Sequence, residues 1–368
     1  MPPNVKSAHP FHGGCTTGLK RVQSLLGSGA MTRYKDTRNG LLGSDFSTKL
    51  SAWLALGCIT ARQVHWQLID FEDGKDDQYK GTEGYGKGEN KGTAAVRFEL
   101  LWRDYMRLCT RKFGPRLFRI EGFRNDDSYP WKTPGQKGTG PEAKDMLERF
   151  LQGTTGTSLI DASQRELYLT GYTSNRARQN VASYLAKHLG INWKFGAEWY
   201  ECMLADYDLS SNWGNWQYVA GVGNDPRGEA RVFNPVKQAF DYDPQGDYCK
   251  AWVEEIQGLE DPQEIFQPWK ASEETKSRLG LAGNDLVEKP LKKIDFRVGG
   301  RGRGGGGGGK YGGSSRGKAN GAGEGGRGRG GGHFGSRGNG RGRDGWNRGG
   351  HGRQGMMDKA YANGNGHS

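Results

Sequence analysis

A chain of 368 residues with 63 glycines and 11% aromatic residues holds two kinds of material, and they occupy different stretches. No apolar run approaches the 18 or so residues of a membrane span, and residues 1–14 lack the apolar core of a signal peptide, so a soluble intracellular protein of nucleus, cytoplasm or organelle is expected. Five widely spaced cysteines without a C-x-x-C pair argue against a disulfide framework and against a zinc site, and no metal is expected.

Residues 1–30 are Pro/Gly-rich, then briefly amphipathic over 19–26, and read as a connector entering a domain. From there to residue 285 the apolar spacing is helical and runs of alternating Val, Ile and Thr are missing, which predicts an all-α body. Thr60 with Gln63 forms a capping box ahead of Val64 and Leu68. The clearest helix covers 94–109, where Glu99 and Arg103 are four apart and Trp102 and Met106 are four apart on one broad face. Residues 74–92 are polar and Gly-rich and predict a long, exposed, mobile loop. Asp161 is placed as the cap of a helix holding Leu167 and Leu169, and Ser174 or Asn175 as the start of one ending at Gly190.

Beyond residue 285 the composition changes. Of residues 299–368, 31 are glycine, and residues 297–368 carry 14 Lys/Arg against 3 Asp/Glu, so nearly all of the formal +12 lies there. Arg-Gly repeats with Tyr311, Phe334 and Trp346 predict a disordered tail, residues 286–368, whose guanidinium groups contact phosphates and stack on the bases of RNA or single-stranded DNA. The plainer alternative is a solubilising linker.

Four stretches of the body carry candidate chemistry. Ser47, Thr48, Lys49, Leu50 and Ser51 sit where a loop becomes a helix, an arrangement that serves either as an ordinary cap or as a phosphate cradle. Residues 98–105 hold Glu99, Trp102 and Arg103. Residues 170–180 hold Asn175, Arg176, Arg178 and Gln179. Residues 206–218 hold Asp206, Asp208, Asn212, Trp216 and Tyr218, too polar for a plain core and too aromatic for a plain loop.

These stretches in this order resemble the flavin domain of photolyases and cryptochromes, as do Gly156 to Ala162, Trp193 and Arg231-Val232-Phe233-Asn234-Pro235. The resemblance is to the cryptochrome DASH branch on account of Ser-Thr-Lys-Leu-Ser-Ala-Trp (47–53), Ser-Asn-Arg-Ala-Arg-Gln-Asn-Val-Ala-Ser (174–183) and Asn-Trp-Gly-Asn-Trp-Gln-Tyr (212–218). The basic Gly-rich extension suggests a fungal type.

The resemblance implies FAD held in a U shape within a helical bundle spanning 31–285. Tyr34 and Ser47 to Ser51 would hold the pyrophosphate; Arg103, Asn175 and Arg178 would contact the phosphates and flavin; Asp206 and Asp208 would bind the ribose, adenine or ring edge; Asn212 would face N5. Trp216 and Trp193 match the inner electron-relay tryptophans, with Trp131 the nearest candidate for the outer one. The implied reaction splits cyclobutane pyrimidine dimers, with Glu99 bonding the damaged base and Trp102 stacking on it. Arg38, Arg176 and Gln238 would touch the strand, and Gln179 and Tyr218 point to a single-stranded substrate. The family is expected to carry an N-terminal α/β domain binding an antenna folate (MTHF) or deazaflavin, and this chain is expected to lack it. The competing expectations are a photoreceptor or nucleic-acid-binding regulator without repair, and an inactive fragment. A monomer is expected.

Overall fold

The computed structural model of the chain describes residues 12–225 and 232–297. The chain divides into two units, Met1–Gly302 and Arg303–Ser368, and every described residue belongs to the first. The Arg-Gly tail, the first residues of the connector and Arg231 lie outside the described residues.

The described unit is all-α, as the apolar spacing predicts. Its one extended pairing among the described residues is an isolated parallel bridge between Lys132 and Ile191. Helices α1 (Cys15–Gly27), α2 (Ala30–Thr37), α3 (Ser51–Ala55), α4 (Ala61–Glu72) and the first turns of α5 (Lys91–Phe113) enclose a core of Val22, Leu26, Trp53, Leu68 and Val96. A second core, with Phe150, Leu185, Trp193 and Trp216, lies among α6 (Glu142–Gln152), α7 (Ser158–Thr170), α8 (Asn175–Ser183), α9 (Trp193–Met203) and α10 (Leu209–Ala220). A third forms where α7 meets α11 (Pro235–Tyr242), α12 (Asp247–Trp252) and α13 (Pro262–Phe266), around Leu159, Tyr248, Trp252 and Phe266. Leu286 and Val287 join that third core, so packed chain continues past residue 285. At the other end, the amphipathic part of the connector is α1, and Val22, Leu25 and Leu26 are fully buried in the first core.

Local signals explain several helix starts. The Thr60 hydroxyl accepts from the Gln63 amide at 3.2 Å while the Gln63 side chain accepts from the Thr60 amide at 2.8 Å, a reciprocal box that satisfies two donors the helix leaves unpaired. Ser174 caps α8 by accepting from the Ala177 amide at 3.2 Å. That helix continues through a π-helical turn at Tyr184–His188 before Gly190, whose φ of 66° is the left-handed conformation of a helix stop.

Two expectations are corrected. Asp161 lies inside the first turn of α7, whose cap position is Thr157; its carboxylate reaches back to accept from the Thr155 amide and hydroxyl, both at 2.7 Å, and from the Gly156 amide at 2.9 Å. It ties down the preceding turn. Burial raises the Asp161 carboxyl to about 6 even though these three donors favour its charged form. The segment 74–92 is also not a loose loop. Gly86 and Gly88 donate backbone bonds to Phe71 and Glu72 of α4, and Tyr79 and Tyr85 set their rings edge-on to Phe71 at 5.7 Å. Its polar, glycine-rich composition hid two aromatic anchors. Asn90 then caps α5, accepting from the Gly92 and Thr93 amides at 2.8 and 3.0 Å.

Candidate functional site

A cleft of about 460 Å3 opens between the end of α2, the 47–51 loop, α3, α5, α8 and α10, a size typical of small-molecule sites. Tyr34, Ser47, Thr48, Lys49, Leu50, Ser51, Arg103, Asn175, Arg178, Asp206, Asp208 and Asn212, widely separated in sequence, all line it. So do Arg38, Glu99, Trp102, Gln179, Trp216 and Tyr218. Four predicted residues stand elsewhere: Trp193 is fully buried behind the wall, Trp131 packs partly buried against the second core, and Arg176 and Gln238 lie outside the lining.

The floor is ionic. Arg178 donates from Nη2 to Asp206 at 2.8 Å and from Nε to the Thr173 carbonyl at 2.9 Å. Burial disfavours the guanidinium charge, but Asp206 outweighs burial and holds Arg178 above its ordinary value. The Asp206 carboxylate is nearly buried, and its Oδ1 has no partner among the described residues. Asp208 caps α10 by accepting from the Ser211 amide at 2.9 Å and pairs with Arg107 at 2.9 Å. Burial alone would raise Asp208, yet these two donors leave it below the usual carboxylate range. Asn212 donates through Nδ2 to the Ala197 carbonyl at 2.9 Å, which leaves its carbonyl oxygen for a group in the cleft.

The phosphate-loop candidates are organised by their own chain. The Lys49 ammonium donates to the Gly43 carbonyl and lies 4.2 Å from the Phe46 ring centre, while Lys49 itself takes a φ of 52°, a region ordinary side chains avoid. Burial pulls this ammonium down to about 7, with Glu166 the largest opposing influence. Leu50 and Ser51 begin α3 at the cleft wall, where the first helical amides have no intrahelical acceptor.

At the mouth, Glu99 and Arg103 do not form the expected pair within α5. Arg103 donates to the Leu54 carbonyl at 3.0 Å, anchoring α5 to α3, and Glu99 pairs with Arg38 across the cleft. Trp102 donates to Asn215 at 3.3 Å and sets its ring edge-on to Tyr218 at 5.4 Å. Arg176 is held by its own chain: it donates to Asn39 at 2.7 Å, Gln179 at 3.1 Å and Gln238 at 3.3 Å, and covers the Tyr242 ring at 4.7 Å.

Three participants escaped sequence reasoning. Arg21 of α1 is buried and donates to Asp45 at 2.7 Å, Ser44 O at 2.9 Å and Thr48 O at 3.1 Å, bracing the loop that forms one cleft wall. No local motif marks it. Tyr200 lines the cleft with its ring edge-on to Trp216 at 5.3 Å; lying seven residues after Trp193, it falls on the same face of α9, a spacing that would have pointed to it. Glu166, buried under the floor, accepts from the Tyr248 hydroxyl at 2.7 Å, and burial raises its carboxyl to about 7.

Residues 96–293 match the family model described as the FAD binding domain of DNA photolyase. The chain belongs to the photolyase/cryptochrome family, in its cryptochrome DASH branch. It is 58% identical over 313 residues to a cryptochrome DASH of Neurospora crassa, named as mitochondrial, covering 81% of this chain and 42% of that one. It is 56% identical over 308 residues to a cryptochrome DASH of Gibberella zeae, covering 81% and 44%. The solved structure of a Synechocystis cryptochrome superposes with a TM-score of 0.65 at 42% identity, over 76% of this chain and 54% of that one. The chain thus spans less than half the length of these fungal relatives.

The cleft suits the dinucleotide of this family. It offers helix-start amides for phosphate, a paired arginine, and a buried oxygen, Asp206 Oδ1, with no partner among the described residues. A buried acceptor without a donor costs about 1–3 kcal/mol, which a ligand N–H or O–H would recover. No helix among the described residues is long and apolar enough to cross a membrane.

Proposed function

We propose that the chain binds FAD in this cleft and uses blue light to split cyclobutane pyrimidine dimers in single-stranded DNA. Tyr34 and the 47–51 loop hold the pyrophosphate, with Arg103, Asn175 and Arg178 beside the phosphates and the ring. Asp206 and Asp208 take the ribose and ring edge, and Asn212 meets N5. Bound and reduced, FAD would supply the photoexcitable electron donor for breaking the dimer's two carbon–carbon bonds with no net redox change.

One observation carries this reading: Glu99 and Trp102, one turn apart on α5, share a single cleft with all twelve cofactor candidates. Trp102, braced by Asn215 and Tyr218, presents a rigid face for a flipped base, and Glu99 presents a carboxylate beside it. Strands that flip a base without breaking a duplex are the cheaper substrate. In the flavin-loaded protein, Glu99→Gln is expected to lower dimer loss in a single-stranded oligonucleotide at least tenfold, about 1.4 kcal/mol, with the visible spectrum unchanged. Equal repair by both proteins would remove Glu99 from the site, and flavin binding without repair in either would leave a photoreceptor.

A second reading, regulation through the tail, is favoured by the excess of Lys/Arg in residues 297–368. Ending the chain at Phe296 is expected to weaken gel-shift binding of RNA or single-stranded DNA at low salt and to flatten its salt dependence. Unchanged affinity would make the tail a linker.

A further inference from the structure

A polar atom buried without a partner forfeits the hydrogen bond it would make to water, so folded chains seldom keep one that does nothing. Tyr200 keeps one. The residue is 1% exposed and lines the cleft, and its hydroxyl has no partner among the described residues. Packing does not require that oxygen: the ring belongs to the second core and stands edge-on to Trp216 at 5.3 Å, contacts a phenylalanine would make equally well. Burial is the main influence on the phenol and raises it above its ordinary value; of its charged neighbours, Glu166 acts in the same direction and Arg178 against it. The proton therefore stays on the oxygen at physiological pH, and the group is a donor. Asp206 Oδ1 is the complementary case, a buried acceptor without a donor. Arg178 bears on both, pairing with Asp206 at 2.8 Å and standing as a charged neighbour of Tyr200. The register of α9 against α10 fixes which part of the cleft the phenol meets. Asn212, assigned above to the flavin N5, donates to the Ala197 carbonyl at 2.9 Å, and one turn on in each helix Tyr200 meets Trp216.

We propose that the Tyr200 hydroxyl donates a hydrogen bond to an acceptor atom of the flavin ring and so holds the reduced cofactor more tightly than the oxidised one. This rests on FAD occupying the cleft as proposed above. Reduction makes the ring electron-rich, and a donor aimed at an ionised acceptor is worth about twice one aimed at a neutral acceptor. Tyr200 thus favours the redox state that dimer splitting uses. A phenylalanine in its place would fill the same space and leave that state unfavoured.

The full chain and its Tyr200→Phe variant, each flavin-free and flavin-loaded, test this. In Tyr200→Phe the thermal midpoint of the flavin-free protein is expected to stay the same or rise, because the substitution deletes an unpaired buried group. Affinity is expected to fall about fivefold for oxidised FAD and about 30-fold for reduced FAD, the reach of a neutral and of a charge-assisted hydrogen bond. Fluorescence titration reads the first loss. A spectroelectrochemical titration reads the difference between the two, as a two-electron midpoint moved to a more negative potential. A lower flavin-free midpoint with both affinities unchanged would show that the hydroxyl is satisfied inside the protein and would overturn the proposal. An equal loss for both redox states would put the hydroxyl away from the ring and overturn it too, while FAD keeps its place in the cleft. An unaltered chain that binds neither form would remove the cofactor reading itself, and the role of Tyr200 with it.

Discussion

Gly92→Ala is expected to destabilise the protein by about 3 kcal/mol, a fall in thermal midpoint of roughly 6–10 °C. Gly92 lies in the first turn of α5 where that helix meets α2, and an added methyl would overlap the Thr32 carbonyl and stand 2.5 Å from the Met31 carbonyl oxygen. Both obstacles are backbone, so no rotamer change relieves them. Only a translation of α2 does, and α2 carries Tyr34 and leads into Arg38, two residues of the cleft wall. Loss of bound flavin should therefore accompany the loss of stability. Calorimetry and visible absorbance read the two effects, and a variant unchanged in both would show that the helices are not packed this closely.

Asp206→Ala is expected to weaken FAD binding about 100-fold, near 2.7 kcal/mol. The substitution removes an inward acceptor and also leaves the Arg178 guanidinium without its carboxylate, and a half-broken ion pair of this kind is worse than none. Asp206→Asn separates the two contributions, since it keeps the shape and discards the charge; at least a tenfold loss is expected. Fluorescence titration of the flavin-free protein measures both. Affinity equal to that of the unaltered chain in both variants would place the cofactor away from Asp206.

The cleft was readable because its residues come in short motifs that each sit on one helix start or one helix face. Ser47 to Ser51, Asn175 with Arg178, and Asp206 to Asn212 keep their spacing whatever the packing, and the caps at Thr60 and Ser174 are local chemistry. What could not be read depends on distant partners. Arg21 has no motif; its value arises from carbonyls 23 to 27 residues away that turn toward it only in the folded chain. Glu99 and Arg103 illustrate the opposite error, since a spacing that permits an ion pair does not compel one when Arg38 and the Leu54 carbonyl compete. In 74–92, polar composition outweighed Tyr79 and Tyr85, although two aromatic side chains that pack on a helix suffice to hold such a segment.

The seating of α1 bears on how shortened versions of the gene product should be cut. A boundary drawn at residue 30, where composition invites one, would strip Val22, Leu25 and Leu26 from the first core and bare the apolar backs of its neighbours. The same cut would take away the guanidinium that gathers the carbonyls of Ser44 and Thr48. Such a fragment would reach the test tube with its cofactor wall already slack, and its lack of colour would say nothing about the intact chain.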